Sequence, residues 1–259
     1  MDTRFWGPSG WRLLHSITFA YIPRTDKVAV REMFKTLPFV LPCKYCRKSL
    51  AEYMEELPLE PALESRDTLT RWLWKIHNKV NAKLRSQKLP VARDPPFEKV
   101  EEYYTTLLAT GCSKTEFSGW DFLFSIADLH PMSSVARKSV PMPGAPACEE
   151  LLDKSPEERN RWNCLKTEER IPFYEAFWKS VGPSLPFKEW RESWLSGSKP
   201  LALETRTSTT KWLWNLRCKM ETDLELLNRS DFSSLCKNLQ SHRSDCSKKA
   251  RGKTCRKRR

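Results

Sequence analysis

Cys43 and Cys46 lie two residues apart in Pro42-Cys43-Lys44-Tyr45-Cys46, and they are the side chains in this chain best suited to chemistry. A CxxC pair either cycles between dithiol and disulfide or supplies half of a tetrahedral metal site. Pro42 suits the opening of a helix, so both cysteines are predicted in its first turn, where the dipole and exposed N–H groups favour thiolate. Lys44, Arg47 and Lys48 add positive charge nearby. A zinc site needs four ligands and there is no second CxxC; Cys148, Cys164 and His130 are the remaining donors, at irregular spacing. Thioredoxin-like exchange lacks its βαβ setting. A second group is made of rings and amides. His77 and Asn81 stand at i and i+4 on one helix face with Asn78 beside them, and Trp11 and His15 stand at i and i+4 on another. Opposed, these faces form a slot for a planar heterocycle held by stacking and amide hydrogen bonds; the plain alternatives are core packing for Trp11 and a solvated helix position for His77.

Helices must position both groups. Trp11 to Tyr21 has apolar residues at helical spacing after Pro8-Ser9-Gly10, Val28 to Leu37 is a second helix closed by Pro38, and Pro42 opens a third. Thr68 to Ser86 is the clearest, with Leu69, Trp72, Leu73, Ile76, Val80 and Leu84 in one stripe, and a short helix spans Glu98 to Ala109. No stretch alternates with period two, so the fold class is all-α: a small four- or five-helix bundle.

The chain repeats itself. Leu41 to Ser49 returns as Leu185 to Ser193 with Phe187 and Trp190 in place of the cysteines. Thr70 to Asn81 returns as Thr210 to Glu221, with His77, Asn78 and Asn81 replaced by Arg217, Cys218 and Glu221. Two copies of one unit are expected, the second keeping the hydrophobic frame without the chemistry. The expected organisation is a working domain at 1–112, a proline-rich linker at 113–163 with a short helix at Trp120 to Asp128, a degenerate copy at 164–228 and a basic tail at 229–259.

The formal net charge is +13, yet residues 229–259 hold eleven Lys/Arg against two Asp, so the folded part is close to balance. The end of that tail lacks apolar residues and is expected to be disordered when free. It suits salt-dependent contact with a polyanion or a nuclear signal. No basic stretch followed by an apolar core opens the sequence, and no run approaches the roughly 20 apolar residues of a membrane span. Nine cysteines form an odd, irregular set unlike a secreted disulfide scaffold.

Three segments in order, Trp6-Gly7-Pro8-Ser9-Gly10-Trp11-Arg12-Leu13-Leu14-His15, Pro42 to Cys46, and His77-Asn78-Lys79-Val80-Asn81-Ala82-Lys83-Leu84, resemble the signatures of the Erv/ALR family of FAD-linked sulfhydryl oxidases. The resemblance spans residues 5 to 112 strongly and 165 to 227 weakly. It implies a five-helix bundle holding FAD that passes electrons from protein thiols to oxygen and releases hydrogen peroxide. By position, Cys43 is implied to exchange with substrate thiols and Cys46 to lie against the isoalloxazine. Gly7, Trp11, His15, Tyr21, His77, Asn78, Asn81, Lys83 and Tyr104 are implied to line the cofactor. A flavin also suits the residues, since a CxxC disulfide reduced by substrate needs a non-thiol electron sink. The chain departs from the family at Trp74 and Phe97, where cellular members often hold a structural disulfide, and at Arg85-Ser86-Gln87, where the family has Gly-Lys-Pro. Packing by Trp74 is expected to replace the disulfide.

The likeness is greatest to members from large DNA viruses, which implies host cytoplasm, nucleus or virion as the compartment. The second unit is expected to occupy the place of a partner subunit in an intramolecular pseudo-dimer, with a further homodimer as the other arrangement. Cys112, Cys236, Cys246 and Cys255 are candidates for a mobile relay. A zinc- or polyanion-binding module with a structural CxxC is the competing function.

Overall fold

Fourteen helical segments and no strand make up the described residues of the computed structural model, which are 2–112, 115–137 and 140–243. Cys246, Cys255 and the most basic part of the tail lie outside them. The helices are α1 (Thr3–Ala20), α2 (Pro23–Val40), α3 (Lys44–Glu56), α4 (Leu59–Ala62), α5 (Arg66–Ser86), α6 (Phe97–Ala109) and α7 (Trp120–Asp128). They continue with α8 (Ser134–Arg137), a 3-10 turn at Cys148–Leu151, α9 (Pro156–Arg161), α10 (Thr167–Ser184), α11 (Lys188–Gly197), α12 (Arg206–Asp223) and α13 (Phe232–Ser241).

The helix ends are set by capping contacts, some local and some distant in the chain. α1 starts well before Pro8, because the Asp2 side chain accepts from the Arg4 N–H at 2.9 Å and caps the helix while Trp6 is buried in the core. α2 runs past Pro38 to Val40. Its last carbonyls find distant donors: Asn160 Nδ2 reaches Pro38 O at 2.7 Å and an Arg170 guanidinium N–H reaches Phe39 O at 2.8 Å. Ser65 and Thr68 close a capping box at the start of α5.

α1 packs on α5 and α6, and α3 on α2 and α5. α10 lies along α2, α7 along α1, and α9 against α3. One apolar cluster runs through both halves of the chain, taking in Leu14, Phe34, Leu69 and Ile76 together with Phe122, Trp178, Trp194 and Leu213.

The expected linker at 113–163 and the tail from 229 include ordered helix. α7, which has the bounds expected for it, is buried at every residue but Asp121, and α13 buries Leu235 and Leu239. Cys148 and Cys164 are joined by a disulfide. His130 bonds Leu203 O through Nε2 at 2.7 Å and accepts from the Met132 N–H at 3.0 Å through Nδ1. The zinc alternative therefore loses the three donors that were to complete it.

Hydrogen bonds recur at matching places in the two halves. Arg47 donates to Leu41 O, and Arg191 to Leu185 O. Trp72 Nε1 donates to Leu57 O and Trp212 Nε1 to Ser198 O, each at 2.8 Å. The Ser65/Thr68 capping box is matched by Thr205/Ser208. α7 carries a further correspondence: Ser118-Gly119-Trp120 and Ser125-Ile126 match Ser9-Gly10-Trp11 and Ser16-Ile17 of α1.

Candidate active site

The cysteine pair sits at the start of α3. Cys43 is the N-cap residue, and its carbonyl accepts from the N–H groups of Cys46 and Arg47, each at 3.0 Å. Cys46 is the third helical residue, so both sulfurs are within reach of the helix N-terminal field. Cys43 is 4% exposed while Cys46 is half-buried. Leu50 and Tyr53 follow Cys46 at helical spacing and are half-buried too, so one face of α3 is only partly covered. Arg47 folds under the turn, donating to Leu41 O at 2.9 Å and to Asn163 Oδ1 at 2.7 Å.

α5 presents the ring and amide groups. Its stripe is buried at Leu69, Trp72, Leu73 and Ile76, but Val80 and Leu84, which continue it, are left half-exposed. His77, Asn78, Asn81 and Lys83 occupy this same uncovered half, all half-buried. Trp11 stacks on His77 with centroids 3.9 Å apart and planes 10° apart. His15 Nε2 lies 3.1 Å from His77 Nδ1, and Tyr104 stacks on the other side of His15 at 5.1 Å. The expected slot between opposed faces is thus closed ring on ring, because the apolar stripes of α1 and α5 share one core and draw the helices together. A planar group must stack against the outside of the Trp11–His77 pair or part it. His15 Nδ1 is buried and finds no hydrogen-bond partner among the described residues.

Further contacts hold these groups in place. Asn81 Nδ2 donates to Asp94 Oδ1 at 2.7 Å, and Arg85 pairs with the same carboxylate. The hydrogen bond from Arg85 is the main reason the Asp94 carboxyl lies below its ordinary range. Lys83 Nζ donates to Ser49 Oγ and the Tyr53 hydroxyl to Lys79 O at 3.4 Å, tying α3 to α5. Trp74 and Phe97 meet edge to face at 5.9 Å, and Trp74 Nε1 donates to Pro95 O, so an aromatic contact joins α5 to the start of α6, as expected of Trp74 from the sequence. Tyr21 stands about 15 Å along α1 from Trp11 at 1.5 Å per residue, its hydroxyl bonded to Leu63 O in the core. Gly7 borders open space. The structure therefore brings together Trp11, His15, His77, Asn81 and Tyr104, places Cys46 on the neighbouring helix, and leaves Tyr21 apart.

Burial drives the His15 imidazole down to about 3, with His77 adding to the effect, and burial drives His77 down to about 4 against the opposing pull of Asp94. Both rings are neutral in the folded protein at neutral pH. The unfolded chain takes up these protons first, so stability is complete above pH of about 6.5 and falls as pH drops toward 4. The expected slope for each histidine is up to about 1.4 kcal/mol per pH unit, read from urea unfolding between pH 7 and 5. His77→Gln should flatten it; an unchanged slope in that variant would show that His77 is not held neutral by the fold.

The Erv1 / Alr family matches residues 8–104, which contain the CxxC and the whole ring and amide group. Residues 8–104 are an Erv1 / Alr family domain. The chain is 38% identical over 90 residues to the mitochondrial FAD-linked sulfhydryl oxidase ERV1 of Saccharomyces cerevisiae, covering 34% of this chain and 47% of that protein. It is 34% identical over 85 residues to the probable FAD-linked sulfhydryl oxidase R368 of Acanthamoeba polyphaga mimivirus, covering 31% and 59%. The putative FAD-linked sulfhydryl oxidase 347L of invertebrate iridescent virus 6 is 29% identical over 98 residues, covering 35% of this chain and 88% of its own. The chain thus spans about half the length of the first two relatives. No solved structure matches it.

Within the Erv1 / Alr domain, Asp94, Ser49 and Tyr53 were not foreseen. Tyr53 was within reach of the sequence, since it continues the face begun by Cys46 and Leu50. Asp94 follows a stretch without regular structure and carries no such signal.

Proposed function

We infer that the chain is an FAD-dependent thiol oxidase that forms disulfides in protein substrates and delivers the electrons to oxygen as hydrogen peroxide. The observation that carries this reading is the uncovered half of α5, a helix packed on the CxxC-bearing α3: apolar Val80 and Leu84, the polar set His77, Asn78, Asn81 and Lys83, and beside His77 the unsatisfied His15 Nδ1. An amphipathic cofactor with flat rings and hydrogen-bonding edges fits that surface. Trp11, His15, His77, Asn78, Asn81, Lys83 and Tyr104 are the residues to hold FAD; when bound, it supplies a two-electron acceptor that oxygen can reoxidise.

In the oxidised enzyme the cysteines form the Cys43–Cys46 disulfide. A substrate thiolate attacks Cys43 Sγ, and Cys46 Sγ leaves as a thiolate stabilised by the α3 N-terminus. A second substrate thiolate then displaces Cys43, so the substrate departs with one disulfide and the pair is reduced. Neutral His15 and His77 add no positive charge beside the electron sink.

The second half of the chain is best read as a duplicated unit without the chemistry, in an intramolecular pseudo-dimer. Trp120 stands where Trp11 does, and Arg217 and Glu221 replace His77 and Asn81. These two form an ion pair with Arg217 Nε 2.6 Å from Glu221 Oε1, both largely buried, and the guanidinium lies 5.6 Å from the Trp120 ring. A cavity of about 250 Å³ beside them is too small for a dinucleotide and is lined by charge. The test is the absorption spectrum and oxygen uptake of the purified protein with dithiothreitol. One flavin per chain with peroxide produced is expected; a colourless protein that takes up no added FAD would overturn the reading.

A further inference from the structure

Residues 140–164 lie over the N-terminal turn of α3. Lys44 Nζ donates to Val140 O at 2.8 Å and Pro141 O at 3.3 Å. Asn163 links the two sides, accepting from Arg47 at 2.7 Å and donating to Val140 O at 2.8 Å. Lys48 sits over the Trp162 ring at 4.3 Å, and Arg161 pairs with Glu55 of α3. The segment is closed on itself by the Met142 N–H to Trp162 O bond at 2.9 Å and by the Cys148–Cys164 disulfide. Exposure is unequal along it: both disulfide cysteines are half-exposed, Cys148 between exposed Ala147 and Glu149, whereas Cys43 is buried.

We propose that residues 140–164 are a disulfide-latched cover that decides which thiols reach Cys43. The proposal rests on the oxidase reading above and adds a selectivity device to the same site. With the latch closed, a small or extended thiol enters while a folded protein thiol is held off. A cross-link spanning 16 residues limits the conformations open to the segment, and its loss favours local opening. The half-exposed latch is reached by substrate before Cys43 is. One thiolate of a substrate dithiol attacks Cys148 or Cys164 Sγ, and its second thiolate resolves the mixed disulfide. The substrate leaves with one disulfide, and both latch sulfurs, having gained two electrons and two protons, become thiols.

The first test needs no turnover. In a Cys46→Ser background, Cys43 alkylation by maleimide-linked polyethylene glycol is followed by peptide mapping, with and without Cys148→Ser and Cys164→Ser. Losing the latch is expected to speed alkylation at least about tenfold. Asn163→Gly keeps the left-handed backbone (φ 59° at Asn163) and removes the bridge to Arg47 with the disulfide intact. It is expected to speed alkylation in the same direction, and it stands in if thermal melts show that the double serine variant does not fold. Equal rates in the folded variants would overturn the cover. With the CxxC intact, the latch-free protein should oxidise a folded protein dithiol faster relative to dithiothreitol. Slower protein-thiol oxidation with dithiothreitol turnover kept would instead make the disulfide a carrier and overturn the proposal. A preparation without flavin leaves the alkylation result intact, so failure of the oxidase reading is distinguishable from failure of the cover.

Discussion

Cys46→Ser is expected to lower thiol-dependent oxygen uptake at least about a thousandfold, the scale on which losing one member of a covalent relay acts. The serine hydroxyl neither forms the disulfide with Cys43 nor leaves as an anion near neutral pH. Cys46 is half-buried on a face shared with Leu50 and Tyr53, so serine opens no core cavity and the flavin spectrum and melting temperature should stay near wild type. That combination separates a lost relay from a lost fold. Uptake within a few-fold of wild type would place the chemistry elsewhere and leave the CxxC a structural motif.

The all-helical fold class and the placement of the site on α1, α3 and α5 were legible because the relevant stripes are local. Trp11 and His15 share one face of α1, His77 and Asn81 one face of α5, and Pro42 places the cysteines at the start of α3. What escaped the sequence depends on partners far along the chain. α2 continues past Pro38 because Asn160 and Arg170 satisfy its last carbonyls, and no local signal reports that. The turn that carries Cys43 is tied to a segment about a hundred residues later through Lys44 and Asn163. The ring-on-ring contact of Trp11 with His77 is set by how closely the helices approach, which a helical wheel does not contain. The correspondence of α7 with α1 was visible in principle. Ser-Gly-Trp and Ser-Ile recur at the same spacing, but the surrounding prolines gave the stretch the look of a linker.

Trp178→Ala is expected to destabilise the chain by about 3–5 kcal/mol and to do so for both halves at once. Trp178 is buried in α10, with Tyr174, Phe177 and Trp212 edge-on at 5.2–5.9 Å. The consequence reaches the first half because α10 supplies what α2 lacks. Phe173 stacks on Phe39 at 3.7 Å, and Arg191 at the next helix holds Asp26. Burial alone would raise the Asp26 carboxyl, but the bonds from Arg191, the Ile22 N–H and Thr25 outweigh it and keep it below its usual range. Without α10, α2 presents Phe39 to water and loses the Arg170 bond to the Phe39 carbonyl, and the helix that leads into the CxxC loses its outer support. Hydrogen exchange resolves the point: amides of α5 around Leu69–Ile76 and of α12 around Leu213–Met220 should lose protection together in the variant. Loss confined to α12, with α5 as protected as in wild type, would mean that the Erv1 / Alr domain folds alone and that the second half is an appendage rather than the other side of its core.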